Sequence, residues 1–257
     1  LDEQLDLAAV IANQASSQSV NSRDVAAGDL DGDGDDDLIV TLENGLVGVF
    51  LADLTAANGF ALVTTSVATA DFFQVVVGDF DPIRSGVEIA MVDGGGLTGR
   101  VIIAQITNVG GNPEIVETSS IAVVGTEVGL AVGDLFNANN ISLIDDPDGI
   151  DDLLVTVADI QGILTAADIG VFGFRNRPAA DVGTPNFLPQ GLLIDGTTLV
   201  GTGATFIQVG DLDNQDGLDV VLHSGGLDDG ANSQIGVAFR QPDGSFNFSL
   251  TRDLGGF

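Results

Sequence analysis

The chain lacks most of the side chains on which enzymes and metal centres rely. Its 257 residues include no cysteine, tryptophan, tyrosine or lysine, and the only histidine is His223. Without cysteine there is no disulfide framework, thiolate nucleophile or thiolate metal site, and a single histidine excludes a multi-histidine zinc centre. Lysine-dependent chemistry and tyrosine bases are excluded as well. These absences predict a protein that is not an enzyme, with His223 in a structural or surface role.

Positive charge is also scarce. Seven arginines stand against 38 acidic residues, which gives a formal net charge of -31. Such a surface repels nucleic-acid phosphates and anionic membranes, so we expect no nucleic-acid partner. No run of 18 apolar residues occurs, and we expect no membrane insertion. Carbohydrate binding is disfavoured because sugars usually stack on tryptophan or tyrosine. The acidic, lysine-free balance favours a secreted or cell-surface location.

The chain nevertheless has ample material for a folded core. Hydrophobic residues make up 44% of the sequence, and the mean hydropathy is +0.35, which excludes an acidic disordered tail. The length suits one or two domains. Because the chain begins with Leu1 and its only methionine is Met91, we expect a processed product or a piece of a longer protein.

Four segments repeat one pattern: an apolar run, a Gly-Asp pair, an acidic loop and a second apolar run. The aspartates of the four pairs are Asp29, Asp79, Asp134 and Asp211, so the spacings are 50, 55 and 77 residues. Two more β-branched runs follow in each repeat, and helical periodicity is weak. Four strands in a repeat of roughly 50 residues predict a propeller blade. We therefore expect an all-β fold, a β-propeller-like array of four-stranded antiparallel blades at about residues 23–70, 71–125, 126–200 and 201–257.

The first of these motifs resembles a known family. The stretch from Gly28 to Leu38 (GDLDGDGDDDL) and its three weaker echoes are similar to the FG-GAP/VCBS repeats of integrin-α-type β-propellers, from Arg23 to the C-terminus. The resemblance implies calcium-binding loops and contacts with other proteins. Members of this family usually have more blades than the four repeats seen here. The chain could be part of a larger propeller, a small closed propeller, or an array that a neighbouring chain completes.

Two further segments bear on assembly. Residues 1–22 precede the first repeat. The run Leu5–Ala12 could be an outer strand that closes the ring, a strand or short helix donated to a neighbouring subunit, or a frayed terminus. Insertions in the third repeat, at Phe136–Pro147 and around Arg175–Gly191, are expected in loops on one face, where they form a plausible contact surface.

The first acidic loop is the strongest candidate for a metal site. Its carboxylates alternate with glycines, as a tight loop that turns side chains inward requires. Calcium takes six to eight oxygen ligands at about 2.3–2.6 Å, and a backbone carbonyl near Asp35 would add a further ligand. A solvated acidic turn is the alternative interpretation. The candidate ligands of loop one are Asp29, Asp31, Asp33, Asp35 and Asp37.

The other three loops are weaker versions of this pattern. In loop two, Ile83 occupies the third acidic position, and Arg84 could pair with Asp79 or Asp81 in place of a metal ion. We expect two to four calcium ions in total. The candidate ligands are Asp211, Asp213, Gln215, Gly217 and Asp219 in loop four, Asp79, Asp81 and Glu88 in loop two, and Asp134, Asp148 and Asp152 in loop three.

These observations lead to one principal hypothesis and several alternatives. The principal hypothesis is a non-enzymatic, extracellular calcium-binding repeat protein that mediates adhesion or protein–protein assembly, with other proteins or copies of itself as partners. The first alternative is a structural subunit of an extracellular filament or surface layer, joined through its N-terminal segment. A lyase or hydrolase on a propeller scaffold and a lectin are disfavoured.

Overall fold

The structure is a computed structural model. It describes residues 22–42, 45–53, 59–67, 72–93, 98–109, 112–124, 127–136, 149–158, 170–177, 185–195, 206–215, 217–224 and 234–253. Nearly all of the expected closing or donated segment, residues 1–21, and the candidate ligand Asp148 lie outside these ranges. No helix capable of crossing a membrane occurs in the part of the chain that is described.

The described strands form four sheets, which we call blades one to four. Blade one contains β1 (Ser22–Gly28), β2 (Asp37–Leu42), β3 (Leu46–Ala52) and β4 (Phe60–Val67). Blade two contains β5 (Phe72–Gly78), β6 (Glu88–Asp93), β7 (Thr98–Val109) and β8 (Asn112–Val124). Blade three contains β9 (Glu127–Gly133), β10 (Asp152–Ala158), β11 (Gly170–Asn176) and β12 (Phe187–Asp195). Blade four contains β13 (Phe206–Gly210), β14 (Asp219–Ser224), β15 (Gln234–Arg240) and β16 (Phe246–Asp253).

Each blade is an antiparallel meander in which strands pair in chain order. The blades are arranged as a four-bladed β-propeller, which confirms the all-β, propeller-like fold expected from the repeats. The second strand of a blade is its most buried: β2 and β6 are apolar on both faces, because neighbouring layers cover both sides of the sheet. This explains why these strands read as continuous apolar runs rather than alternating ones.

Three apolar cores join consecutive blades. Blades one and two share a core that includes Ile39 and Ile89, while blades two and three share one that includes Ile103 and Leu153. A third core joins blades three and four. The hydrophobic effect therefore holds each blade to the next, as in other repeat architectures.

The first strand of every blade lies nearest the propeller axis. The inner strands contact one another in series, β1 with β5, β5 with β9 and β9 with β13. They line a central cavity of about 280 Å³, to which Asp24, Gln74, Ala131 and Gln208 contribute from the four blades. This arrangement places the four Gly-Asp loops, each at the C-terminal end of an inner strand, on one face of the propeller.

Polar side chains link the inner strands across the gaps between blades. The Gln74 carboxamide accepts a hydrogen bond from the Leu130 N–H at 2.7 Å and donates one to the Leu130 carbonyl at 3.4 Å. Asp24 accepts a hydrogen bond from the Val75 N–H at 3.0 Å. These contacts satisfy backbone groups at strand edges, where no ladder partner is available.

We expect the cores between blades to dominate stability. Leu153 is fully buried between blades two and three, so Leu153→Ala should lower the free energy of unfolding by about 2–5 kcal/mol through lost apolar burial and the cavity left behind. Leu192→Ala is the matched control, because Leu192 is exposed and its truncation should cost about 0.5 kcal/mol or less. Urea denaturation measures both, and equal losses would contradict the prediction.

Candidate metal sites in the Gly-Asp loops

Loop one, residues 29–36, folds around the carboxylate of its first aspartate. Asp29 Oδ1 accepts hydrogen bonds from the N–H groups of Gly32 at 2.7 Å and Asp33 at 3.0 Å, and Asp29 Oδ2 accepts one from Gly34 at 3.0 Å. Gly32 and Gly34 have φ angles of 80° and 97°, which other residues rarely adopt. The alternation of aspartate and glycine therefore produces the tight turn that the sequence predicts.

The loop brings three carboxylates together. Ligand oxygens of Asp29, Asp31 and Asp37 all lie within 4.8 Å of one another. Burial raises the pKa of Asp31, and the charges of Asp37, Asp33 and Asp29 raise it further. This mutual repulsion is what a bound cation would relieve.

The remaining two candidates of loop one do not belong to this group of three. Asp33 is exposed, and its carboxylate accepts a hydrogen bond from the Asp35 N–H at 2.9 Å. That contact is an Asx turn, which shapes the loop locally. The contribution of Asp33 and of Asp35 to a metal site stays a prediction.

Asp37 has a structural role that the sequence interpretation missed. It is 1% exposed, and its two oxygens accept hydrogen bonds from the Leu30 N–H at 2.9 Å and the Ala52 N–H at 2.8 Å. Burial raises the pKa of Asp37, although these hydrogen bonds act in the opposite direction. The carboxylate thus ties the start of loop one to the end of β3.

Every blade repeats this buried acceptor, which we call the carboxylate clamp. Asp152 accepts hydrogen bonds from Leu135 and Phe136 in loop three and from Asn176 at the end of β11, at 2.7–2.9 Å. Asp219 accepts from Leu212 in loop four and from Arg240 at the end of β15. The sequence signal was available: an acidic residue at the first position of an otherwise apolar strand.

Loop four, residues 211–218, is the second place where carboxylates converge. Oxygens of Asp211, Asp213 and Asp219 lie within 4.8 Å of one another. Asn214 has a φ angle of 60° at the position that Gly32 holds in loop one, which asparagine tolerates better than most residues. Asp213 accepts a hydrogen bond from the Gln215 N–H at 2.9 Å.

Two other candidates in loop four are peripheral to this group. Gln215 and Gly217 are both exposed, and Gly217 has a φ angle of 98°. Their role as ligands, through the Gln215 side chain and the Gly217 carbonyl, stays a prediction.

Loop two, residues 79–87, carries its own cation. Arg84 Nε lies 3.0 Å from Asp81 Oδ2 in an ion pair, which is one of the two pairings expected from the sequence. Asp81 is 1% exposed, and Glu88 is 3% exposed. Glu88 forms the clamp of this blade and accepts hydrogen bonds from the N–H groups of Phe80 and Asp81. In the described part of the loop, Asp79, Asp81 and Glu88 do not form a three-carboxylate group.

Loop three, residues 134–151, contributes a contact between blades that the sequence did not reveal. Asp151 Oδ2 accepts a hydrogen bond from the Asp79 N–H at 2.8 Å, and the Asp151 N–H donates to the Asp79 carbonyl at 2.9 Å. Asp134 accepts a hydrogen bond from the Gly149 N–H at 2.7 Å. Burial raises the pKa of Asp151. The side chain therefore joins loop three to loop two.

We expect the clamp to be essential for stability. Asp152→Ala would leave three buried N–H groups without their acceptor, and each orphaned group costs about 1–3 kcal/mol. The free energy of unfolding should therefore fall by at least about 3 kcal/mol. Asp36→Ala is the control, because Asp36 is exposed. Chemical denaturation of both variants checks this, and a loss below about 1 kcal/mol for Asp152→Ala would refute the clamp.

We also expect stability to depend on pH through Glu88. Burial, together with the charges of Asp81 and Asp79, raises the pKa of Glu88 to about 7 from an ordinary value of 4.5. The folded state therefore holds a proton more tightly than the unfolded state. The resulting stabilisation is complete below about pH 4.5 and is lost as the pH rises through about 7.

Melting temperatures between pH 4.5 and 8, measured in chelator, test this expectation. Glu88→Gln keeps a hydrogen-bond acceptor but cannot ionise, so its melting temperature should fall less with rising pH than that of the wild type. Glu114→Gln is the control, because Glu114 is exposed, and it should follow the wild-type curve. Identical pH curves for the wild type and Glu88→Gln would rule out Glu88 as the source.

Comparison with protein-family models and with curated protein sequences finds no match for this chain.

Proposed function

We propose that this protein is a non-enzymatic, extracellular calcium-binding β-propeller that mediates adhesion or protein–protein assembly. The observation that carries the proposal is the convergence of Asp29, Asp31 and Asp37 in a loop whose shape the backbone fixes. Adhesion and an extracellular location draw on the resemblance of the Gly-Asp loops to FG-GAP/VCBS repeats and on the acidic composition.

Calcium fits the chemistry of the two convergent groups. Oxygen ligands lie about 2.4 Å from a calcium ion, so two ligands on opposite sides of the ion are about 4.8 Å apart. The carboxylates of loops one and four fall within that span. Backbone carbonyls and water would complete a shell of six to eight oxygens. A hard cation suits a donor set that contains no sulfur or nitrogen ligand.

The four loops differ in how well they support an ion. Loops one and four offer three carboxylates each. In loop two, the guanidinium of Arg84 already pairs with Asp81, which argues against a metal ion there. In loop three, the proposed ligands are Asp134, Asp148 and Asp152. We therefore propose ions in loops one and four first, within the two to four that the sequence predicts.

The bound ions would act on the fold by neutralising charge. The chain carries a net charge of -31, and like charges crowded on one face oppose compact folding. An ion that binds only the folded state stabilises it by RT ln(1 + [L]/Kd), which is about 2.7 kcal/mol at a hundredfold excess over Kd. Calcium would thus hold the loop face in the shape that a partner contacts.

A structural subunit of a filament or surface layer is the second candidate function. The observation that favours it is a set of exposed large apolar residues on blades one and four, including Val25, Phe206 and Leu212. Both candidate functions involve assembly with other proteins or with copies of this chain. A propeller-scaffold lyase or hydrolase and a lectin have no comparable support.

Calorimetric titration of chelator-treated protein with calcium tests the metal sites. We expect at least two bound ions and a rise in melting temperature. Asp31→Asn should remove or weaken the loop-one ion by at least tenfold, because it deletes one of three convergent charges. Asp36→Asn is the matched control, since Asp36 lies in the same loop, is exposed and is not in the group. No bound calcium, or equal effects of both variants, would contradict the proposal.

A further inference from the structure

The fourth blade carries an interface for which the described structure provides no partner. The residue after the Gly-Asp pair packs against the following blade in blades one to three. Leu30, Phe80 and Leu135 are 3%, 0% and 3% exposed, whereas Leu212 at the same position of blade four is 53% exposed. The apolar side chain is present, but none of the described residues, including those of blade one, buries it.

The first blade has a matching uncovered surface on its opposite side, where a preceding blade would pack. Three residues before the Gly-Asp glycine, every inner strand has an apolar side chain, which in blades two to four packs against the preceding blade. Val75, Leu130 and Ile207 are 2%, 0% and 1% exposed, and each belongs to a core shared with the blade before it. Val25, at the same position of blade one, is 58% exposed.

The glycines of the Gly-Asp pairs show the same difference between blade four and the other three blades. A Cβ atom on Gly28 would lie 2.9 Å from Val87, and one on Gly78 would lie 2.5 Å from Val132. A Cβ atom on Gly133 would lie 2.6 Å from Leu218. In each case the close neighbour belongs to the next blade. A Cβ atom on Gly210 would meet nothing within 4 Å.

The inner-strand residues four positions before that glycine also indicate that the surface of blade four is uncovered. Asp24 and Gln74 occupy the position in blades one and two, where they hydrogen-bond to backbone groups of the next inner strand. Phe206 occupies it in blade four and is 58% exposed. By its position in the repeat, Phe206 belongs to the same surface as Gly210 and Leu212.

Backbone contacts between successive loops complete the repeated interface. The Val87 N–H donates to the Asp29 carbonyl at 2.8 Å, and the Asp151 N–H donates to the Asp79 carbonyl at 2.9 Å. By position in the repeat, the equivalent groups at the unfilled interface are the Asp36 N–H and the Asp211 carbonyl.

We propose that a second copy of this chain docks on this interface, with blade four of one copy packed against blade one of the other. We call the surface around Phe206, Gly210 and Leu212 the trailing surface, and that around Val25 and the Asp36 backbone N–H the leading surface. The chain already builds this interface three times between its own blades. Each free surface is therefore shaped for the other, and a second copy supplies both.

Such an interface is heterologous, because different surfaces of the two copies meet. Heterologous contacts form a closed ring when the rotation between copies closes and a filament when it does not. Two copies joined twice, trailing to leading, leave neither surface free. We therefore expect a closed head-to-tail dimer.

The charge of the protein sets the conditions for this association. Two chains of net charge -31 repel each other, and salt or loop-bound cations weaken that repulsion. We therefore expect the dimer to be more stable at about physiological ionic strength than at low ionic strength, and more stable with added calcium than without it. This inference deepens the assembly part of the proposed function and rests on it. The side chains proposed to dock, Val25, Phe206 and Leu212, are apolar.

The first test measures the mass of the 257-residue chain by light scattering with calcium present. We expect twice the monomer mass of 26.2 kDa. Val25→Asp and Leu212→Asp should each reduce the mass to that of a monomer. Ile83→Asp is the matched control, because Ile83 is 62% exposed but belongs to loop two and to neither surface, so it should leave the dimer intact. A monomeric wild type, or an equal effect of Ile83→Asp, would overturn the proposal.

Mixing the two variants gives a sharper result. Val25→Asp keeps an intact trailing surface, and Leu212→Asp keeps an intact leading surface. A mixture of the two should therefore form dimers through one restored interface, while each variant alone stays monomeric. Failure of the mixture to associate would contradict the head-to-tail arrangement.

Cysteine pairing separates a second copy from ring closure within one chain. The protein has no cysteine of its own, so Val25→Cys and Leu212→Cys introduce the only thiols. Under oxidising conditions or with a short bismaleimide, the mixed single variants should give a covalent dimer. Efficient internal cross-linking of the double variant as a monomer would show closure within one chain and overturn the proposal.

Calcium titration of the same variants distinguishes the two proposals. Val25→Asp should bind as many calcium ions as the wild type, because Val25 is not in either carboxylate group. A monomeric wild type that binds calcium would refute only the docking of a second copy. A dimeric protein that binds no calcium would refute only the metal sites.

Discussion

A buried carboxylate at the start of each second strand is the interaction on which the loop face depends. Asp37, Asp152 and Asp219 each connect a Gly-Asp loop to the end of the third strand of the same blade. An ionised side chain is costly to bury unless several donors surround it. Here the donors are backbone N–H groups that would otherwise be unsatisfied at the end of a strand. One side chain thus fixes both the loop and the strand that follows.

Because each clamp is a buried carboxylate, the acidic groups around it need a compensating positive charge, and the loops obtain that charge from different sources. Every loop crowds acidic groups around an already buried carboxylate. Loops one and four leave three carboxylates facing one another, which suits a divalent cation. In loop two, the guanidinium of Arg84 pairs with Asp81. Burial raises the pKa of the clamp residue Glu88 to about 7, so a bound proton also reduces the negative charge of this loop. A metal ion, a guanidinium and a proton are alternative sources of the same compensating charge.

The sequence was sufficient for the fold because the repeat is local. Each Gly-Asp pair is followed by apolar runs of strand length, and four such units predict four blades. The convergence of Asp29 with Asp31 also follows from a few adjacent residues. The second role of Asp37 could not be read in this way, because its partner Ala52 lies 15 residues away. Asp151 and Asp79 are 72 residues apart, and only the packing of blades two and three brings them into contact.

The glycine of the Gly-Asp pair gives the repeat a direction. In blades one to three, a side chain at this glycine would collide with the following blade. The requirement for glycine therefore comes from a blade that lies later in the sequence and is synthesised afterwards. Gly210 meets no such neighbour among the described residues, yet it is still glycine. Each unit therefore has the same C-terminal surface, whether or not a following blade covers it. A gene that lengthened by duplication of one unit could add it after blade four without any compensating substitution there.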